Sequence, residues 1–189
     1  MSDLRLVPFS DNNTPIVLAW RNSDRIRKNM LDDSVISTEN HREFLKTLES
    51  DRARAYYVVE LRGTPVAAIY FTELGGSEVT WGCYIGTDKT MPGLFVALVI
   101  MAAKYSFRLP STNSLRSEVA EHNANPIKLN RFLGIPEAAR LTRLTSSGRA
   151  VEFIEYQLSR DLLNNVIDKA KKIMPSSLRK SCENIVLEI

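Results

Sequence analysis

Two histidines and two cysteines are the soft ligands in this chain of 189 residues. His41 and His122 lie far apart, and Cys83 and Cys182 show neither metal-binding nor redox spacing. No metal centre is expected, and the thiols read as free groups in a reducing compartment. Proton transfer and positioning are the chemistry that remains. His122 has the ordinary pKa best suited to moving a proton near neutral pH, with Glu118 and Glu121 close by in sequence. The plain alternative is a solvent-facing histidine ahead of a helix, with two strand-end surface charges. After His122 the chain reads Asn123–Ala124–Asn125–Pro126–Ile127–Lys128–Leu129–Asn130–Arg131–Phe132–Leu133–Gly134. Asn123 and Asn125 suit an N-cap, Pro126 a first turn and Gly134 a stop. Ile127, Leu129, Phe132 and Leu133 supply an apolar stripe, while the Asn130 amide can hydrogen-bond but cannot give up a proton. Far upstream, Trp20–Arg21–Asn22 sets an indole, a guanidinium and an amide side by side. It reads either as a substrate contact or as a buried tryptophan at a helix end.

These groups need elements to hold them. Alternation over Leu4–Phe9, with Leu4, Leu6 and Pro8 on one face, predicts an opening strand. Thr14–Met30 predicts a helix broken near Asn22–Ser23, and Ser37–Thr38 caps a second one carrying His41, Phe44, Leu45 and Leu48. Ala55–Leu61, Val66–Thr72 and Glu78–Ile85 read as three antiparallel strands around Arg62–Pro65 and Gly75–Gly76. Leu94–Phe107 is an apolar, buried helix, and Ser114–Ala120 a strand after it. The Asn123–Leu133 helix follows, then strands Arg140–Thr145 and Val151–Leu158. This order predicts an α/β layered domain over residues 1–158, with a mixed central sheet of about seven strands flanked by helices. Residues 159–189 form a helical extension. Its apolar stripe includes Leu158, Leu162, Leu163, Val166, Ile167, Ala170 and Ile173, Pro175 breaks it, and Leu178, Cys182, Ile185, Val186 and Ile189 resume it. Docking on its own domain is the first reading of this tail, a homodimer contact the second and a membrane-surface helix the third.

Net charge is +3 with the signs interspersed, which gives no footprint for nucleic acid. No signal-peptide layout opens the chain, and the longest apolar run, Leu94–Ala103, is about half a membrane span. A cytoplasmic protein without a transmembrane segment is expected.

The element order resembles the GCN5-related N-acetyltransferase fold. That family often carries a helix reading Asn-x-x-Ala-(Ile)-x-Leu-Tyr-x-x-x-Gly-Phe, and Asn123, Leu129 and Gly134 fall in place here. Trp20–Arg21–Asn22 resembles the subgroup that acetylates amino sugars on nucleotide carriers, as in pseudaminic-acid synthesis. It also resembles the ribosomal-protein alanine acetyltransferases. The resemblance implies acetyl-CoA as co-substrate and no metal. It places the pantetheine arm along Trp81–Ile85, with Cys83, Tyr84 and Ile85, and the pyrophosphate in the loop Thr87–Phe95, with Thr90, Gly93 and Leu94. Asn123 then falls on the cofactor side, and Trp20, Arg21 and Asn22 face a nucleotide-linked amino sugar.

Three positions depart from the family pattern. The usual loop is Gln/Arg-x-x-Gly-x-Gly/Ala. Here Thr90 stands at the basic or amide position, Pro92 removes an N–H, and Phe95 replaces a small residue. Asn130 stands where relatives have a tyrosine that returns a proton to the thiolate. His122, Glu118 and Asn130 are therefore the candidates for that side of the chemistry. Two other functions stay open: a protein N-terminal acetyltransferase, and a non-catalytic module that kept the fold.

Overall fold

The structure is a computed structural model, and it describes residues 4–88, 91–183 and 185. In chain order it contains β1 (Leu4–Pro8), α1 (Thr14–Arg21), α2 (Asp24–Arg27), α3 (Thr38–Ser50), β2 (Ala55–Leu61), β3 (Thr64–Thr72) and β4 (Glu78–Ile85). Then come α4 (Leu94–Phe107), β5 (Ser114–Ala120), α5 (Ala124–Leu133), β6 (Glu137–Leu144), β7 (Ala150–Ser159), α6 (Leu163–Ile173) and α7 (Ser176–Glu183). The strands form one seven-stranded mixed sheet ordered β1-β2-β3-β4-β5-β7-β6.

Local chemistry sets most of these bounds. The break between α1 and α2 falls at Ser23, whose extended backbone and hydroxyl, bonded to the Trp20 carbonyl at 2.7 Å, end one helix before the next begins. Ser37 caps α3 by accepting the Asn40 N–H at 3.1 Å. Gly134 ends α5 in the left-handed conformation (φ 78°), where its N–H meets helical carbonyls. At the other end of α5, neither asparagine acts as expected: Asn123 occupies the N-cap position but makes no side-chain cap bond. Pro8 is exposed rather than on the buried face, because β1 is an edge strand that ends there. β6 begins earlier than alternation suggests, at Glu137, because a register slip between Glu137 and Ala139 interrupts its pattern.

α4 is the pivot of the core. All its residues but Phe95 and Lys104 are buried, which one sheet face cannot accomplish. The tail covers the rest. Val166, Ala170, Met174, Leu178 and Cys182 join the same core, and Lys104 Nζ donates to the Cys182 carbonyl at 2.7 Å. Leu158, assigned by its spacing to the tail stripe, is buried in β7 instead. Val186 and Ile189 lie outside the described residues.

The feature that shapes the site is the junction of β4 and β5. These parallel strands pair only at Glu78–Ser114, Val79–Leu115 and Thr80–Arg116, and then part. Arg116 fastens the closed end. Its guanidinium lies 3.3 Å from each of the Glu73, Glu78 and Glu155 carboxylates and donates to the Thr80 hydroxyl at 2.9 Å. Replacing Arg116 with Met leaves Glu155 and Glu78, both largely covered, without a counter-charge. Urea unfolding at pH 7 is expected to show a loss of about 1–3 kcal/mol, discounted for partial exposure.

Candidate active site

Beyond Thr80, β4 turns its free edge to an opening. β5 cannot fill that opening, because it pairs along its whole length with β7, from Ser114–Ser159 to Ala120–Phe153. The backbone groups of Trp81–Ile85 on that edge therefore lack a strand partner, and such groups seek one. The result is a cleft of about 490 Å³ between β4 and β5, walled by α2 on one side and α5 on the other. Side chains alternate along a strand, so the cleft receives residues from both faces of the sheet. Trp81, Cys83 and Ile85 face α4, with the Phe95 ring 6.5 Å from the indole. Gly82 and Tyr84 face the other way, alongside Tyr70. The passage thus runs through the sheet. A ligand can lie along the β4 edge on one face and meet a second molecule on the other.

The far face is aromatic. Phe9, Phe44, Tyr56 and Tyr70 form a chain of ring contacts, with the last two stacked at 5.3 Å. His41 packs beside Phe9 and Phe44, and its burial lowers its pKa. A bridge crosses this end. At one foot, Arg25 donates to the Ile85 and Gly86 carbonyls at 3.0 and 3.2 Å. At the other, Asp33 is clasped by the β6–β7 turn, accepting from the Ser147 hydroxyl at 2.6 Å, the Ser146 hydroxyl at 2.8 Å and the Ser147 N–H at 3.0 Å. These bonds, the Ser147 hydroxyl first, hold the Asp33 carboxyl well below the usual carboxylate range. Between the feet, Lys28, Asn29 and Met30 face the cleft.

The structure gathers Cys83, Tyr84, Ile85, Asn123, Glu118 and Asn130 around this cleft. Asn130 is buried, and Glu118 is paired with Arg143 at 2.7 Å. Burial pushes the Cys83 thiol up to about 12. His122 lies apart from them, exposed on the turn before α5 and off the cleft wall. Gly93 and Leu94 are also off the wall. Gly93 adopts φ 82° beside the tail, where a side chain would come within 2.8 Å of the Pro175 ring. Leu94 is core, and its N–H is bonded to the Met91 carbonyl at 3.1 Å. Thr90 lies outside the described residues.

Trp20, Arg21 and Asn22 also lie off the cleft wall, each engaged with other parts of the chain. The Trp20 indole fills the space over Gly86, where any side chain would overlap it. Arg21 donates to the Asp32 carbonyl. Asn22 makes a two-way bond with the Ile36 backbone, at 2.9 and 2.8 Å. They support the bridge from behind, and Arg25, Lys28 and Asn29 line the cleft in their place. Tyr70 is the other residue that the sequence reading missed. Its signal lies in the register, since a strand tyrosine opposite a strand glycine marks a ring that leans over its neighbour. Among the described residues no group of three or more His, Cys, Asp or Glu could hold a metal, and no helix is long and apolar enough to cross a membrane.

Comparison with known proteins places this architecture. No family model matches the chain. Acetyltransferase PseH of Campylobacter jejuni is 26% identical over 129 residues, covering 67% of this chain and 80% of that protein. The crystal structure of C. jejuni N-acetyltransferase PseH superposes with a TM-score of 0.62 at 18% identity, over 84% of this chain and 99% of that one. Spermidine N-acetyltransferase from Vibrio cholerae, in complex with CoA and spermine, superposes with a TM-score of 0.77 at 16% identity, over 87% of this chain and 99% of that one. With its parted parallel strands and seven-stranded mixed sheet, the chain has the fold of the GCN5-related N-acetyltransferases and a weak sequence likeness to one of them.

Proposed function

We propose that this chain is an acetyl-CoA-dependent N-acetyltransferase whose acceptor is an amino sugar carried on a nucleotide. The unpaired β4 edge along the cleft carries this reading. A pantetheine arm is an extended chain with two amides, and amides pair with a free strand edge as another strand would. Cys83, Tyr84 and Ile85 would line that arm from β4, with Asn123 and Asn130 from α5. The diphosphate end meets an altered loop, since the Leu94 N–H is already used. Phe95 and Val96 still offer the N–H groups that precede the first helical bond, from Ala97 to Gly93, at the positive end of the long helix α4. Bound there, acetyl-CoA supplies an activated acyl group that a neutral amine can attack.

Charge favours an anionic acceptor over a polyamine. Among the described residues lining the cleft, Arg25, beside Asp88 at 3.3 Å, and Lys28 are cations, while Glu118 is the one acid and is paired with Arg143. A polycation needs free carboxylates at this place, whereas a nucleotide diphosphate is served by the basic rim. The bridge also crosses the end through which an extended peptide would run, which favours a compact acceptor over a protein N-terminus. Transfer is direct. A thiol held up to about 12 is almost wholly protonated near neutral pH, so Cys83 does not take the acetyl group in transit. Orientation of the two substrates supplies much of the rate, and water carries off the amine's proton.

Four outcomes are expected. With acetyl-CoA and a panel of UDP-linked amino sugars, spermidine and N-terminal peptides, thiol release should follow a sugar. Release with spermidine alone would replace the acceptor assigned here, and the absence of both CoA binding and turnover would remove the enzyme altogether. Iodoacetamide at pH 8 should modify Cys83 about three orders of magnitude more slowly than a free thiol, as read by mass spectrometry. Replacing Asp33 with Ala should raise the acceptor KM roughly tenfold and leave that of acetyl-CoA unchanged, because only the acceptor end loosens. In the wild type the Ser147 amide should stay protected from hydrogen exchange from pH 7 down to about pH 4. A depressed carboxyl contributes its stability above the ordinary pKa and loses it only as pH falls through the lowered one.

A further inference from the structure

Tyr70 stands opposite Gly82 in the β3–β4 register. Opposed residues on antiparallel strands put their side chains on the same face, side by side. Here glycine leaves its place empty, and a side chain built there would overlap Cζ and the hydroxyl of Tyr70. The phenol therefore lies across the β4 backbone, at the level where β4 has already left β5. Tyr56 stacks on the ring with planes only 14° apart, which fixes its tilt. Ser117 and Glu118 belong to the opposite wall of the same cleft. Among the described residues the Tyr70 hydroxyl has no hydrogen-bond partner, although it lines the cleft. Burial raises its pKa, so the group remains a neutral donor throughout the working range.

Resting on the acyl-transfer reading, we infer that Tyr70 is a catalytic residue: its hydroxyl donates a hydrogen bond to the negative charge that develops at the thioester, and Gly82 positions it by leaving room for the ring. In that step the amine lone pair forms the new bond to the carbonyl carbon. The carbon–sulfur bond breaks, and its electron pair goes to sulfur. The nitrogen loses its extra proton to water, and the thiolate takes one from water. Tyr70 keeps its own proton from start to finish. A fixed donor of this kind acts where the charge changes most. It also gives the cleft the hydroxyl that Asn130 lacks.

Tyr70→Phe keeps the ring and its stack and removes a single oxygen. With the acceptor that the wild type uses, kcat should fall by roughly two orders of magnitude, while the KM for acetyl-CoA and the thermal midpoint hold. Gly82→Ala, which forces the ring aside, should lower kcat to a similar extent. Added to Tyr70→Phe it should cost little more, because both changes remove the same hydrogen bond. A Tyr70→Phe enzyme within twofold of wild-type kcat would overturn the assignment and leave acyl transfer standing. A wild type that neither binds CoA by calorimetry nor releases thiol with any acceptor of the panel would overturn both.

Discussion

The structure depends on a pairing that stops early. Parallel strands gain by continuing side by side, yet β4 and β5 separate after Thr80 and Arg116. Two interactions enforce the separation. Arg116 collects three carboxylates and a hydroxyl at the closed end, so the strands cannot slide along each other to reclose. β7 takes the whole of β5, so β5 follows β7 away from β4. A free strand edge in a protein interior is costly unless something pairs with it. That cost is the physical basis for reading the opening as a binding site, since a ligand rich in amides satisfies what the sheet leaves undone.

The opposite end of the cleft is built by long-range hydrogen bonding rather than by the sheet. Residues 25 to 36 would be a loose connection between helices if judged by length alone. They are instead fastened at both ends: Arg25 to the last carbonyls of β4, and Asp33 to the serines of the β6–β7 turn. Trp20 over Gly86 and Asn22 on Ile36 brace the same segment from beneath. The N-terminal third of the chain and the last hairpin are thereby joined across this end of the cleft.

Periodicity made the elements legible. The sheet strands and α4 followed from alternation and from an unbroken apolar run, because burial against neighbours decides them. Cys83, Tyr84, Ile85 and Asn130 were assigned through the family resemblance rather than through periodicity, and the structure sets them along the cleft. The residues that lie off the cleft wall share a different cause. His122, Trp20, Arg21 and Asn22 were judged by chemical type, but whether such a side chain faces a ligand depends on partners distant in sequence. Asn22 spends its amide on Ile36, and Arg21 its guanidinium on Asp32. Tyr70 escaped notice because a tyrosine in a strand is ordinary until its opposite number is known to be glycine. Register supplies that knowledge, and local spacing does not.

The unfamiliar loop before α4 becomes intelligible through the tail. An uncovered α4 would need a polar outer face, but its sequence has almost none. Covering it requires the chain to return after β7, and α6 and α7 do so, with Met174 and Pro175 coming to rest against Gly93. The glycine then answers two demands at once: a left-handed turn into the helix, and room for a proline ring at its side. Phe95, too large for a phosphate cradle, lies along the cleft wall near Trp81 and extends the apolar lining. The start of α4 is therefore shaped by the tail that buries it, with Gly93 seated against Met174 and Pro175.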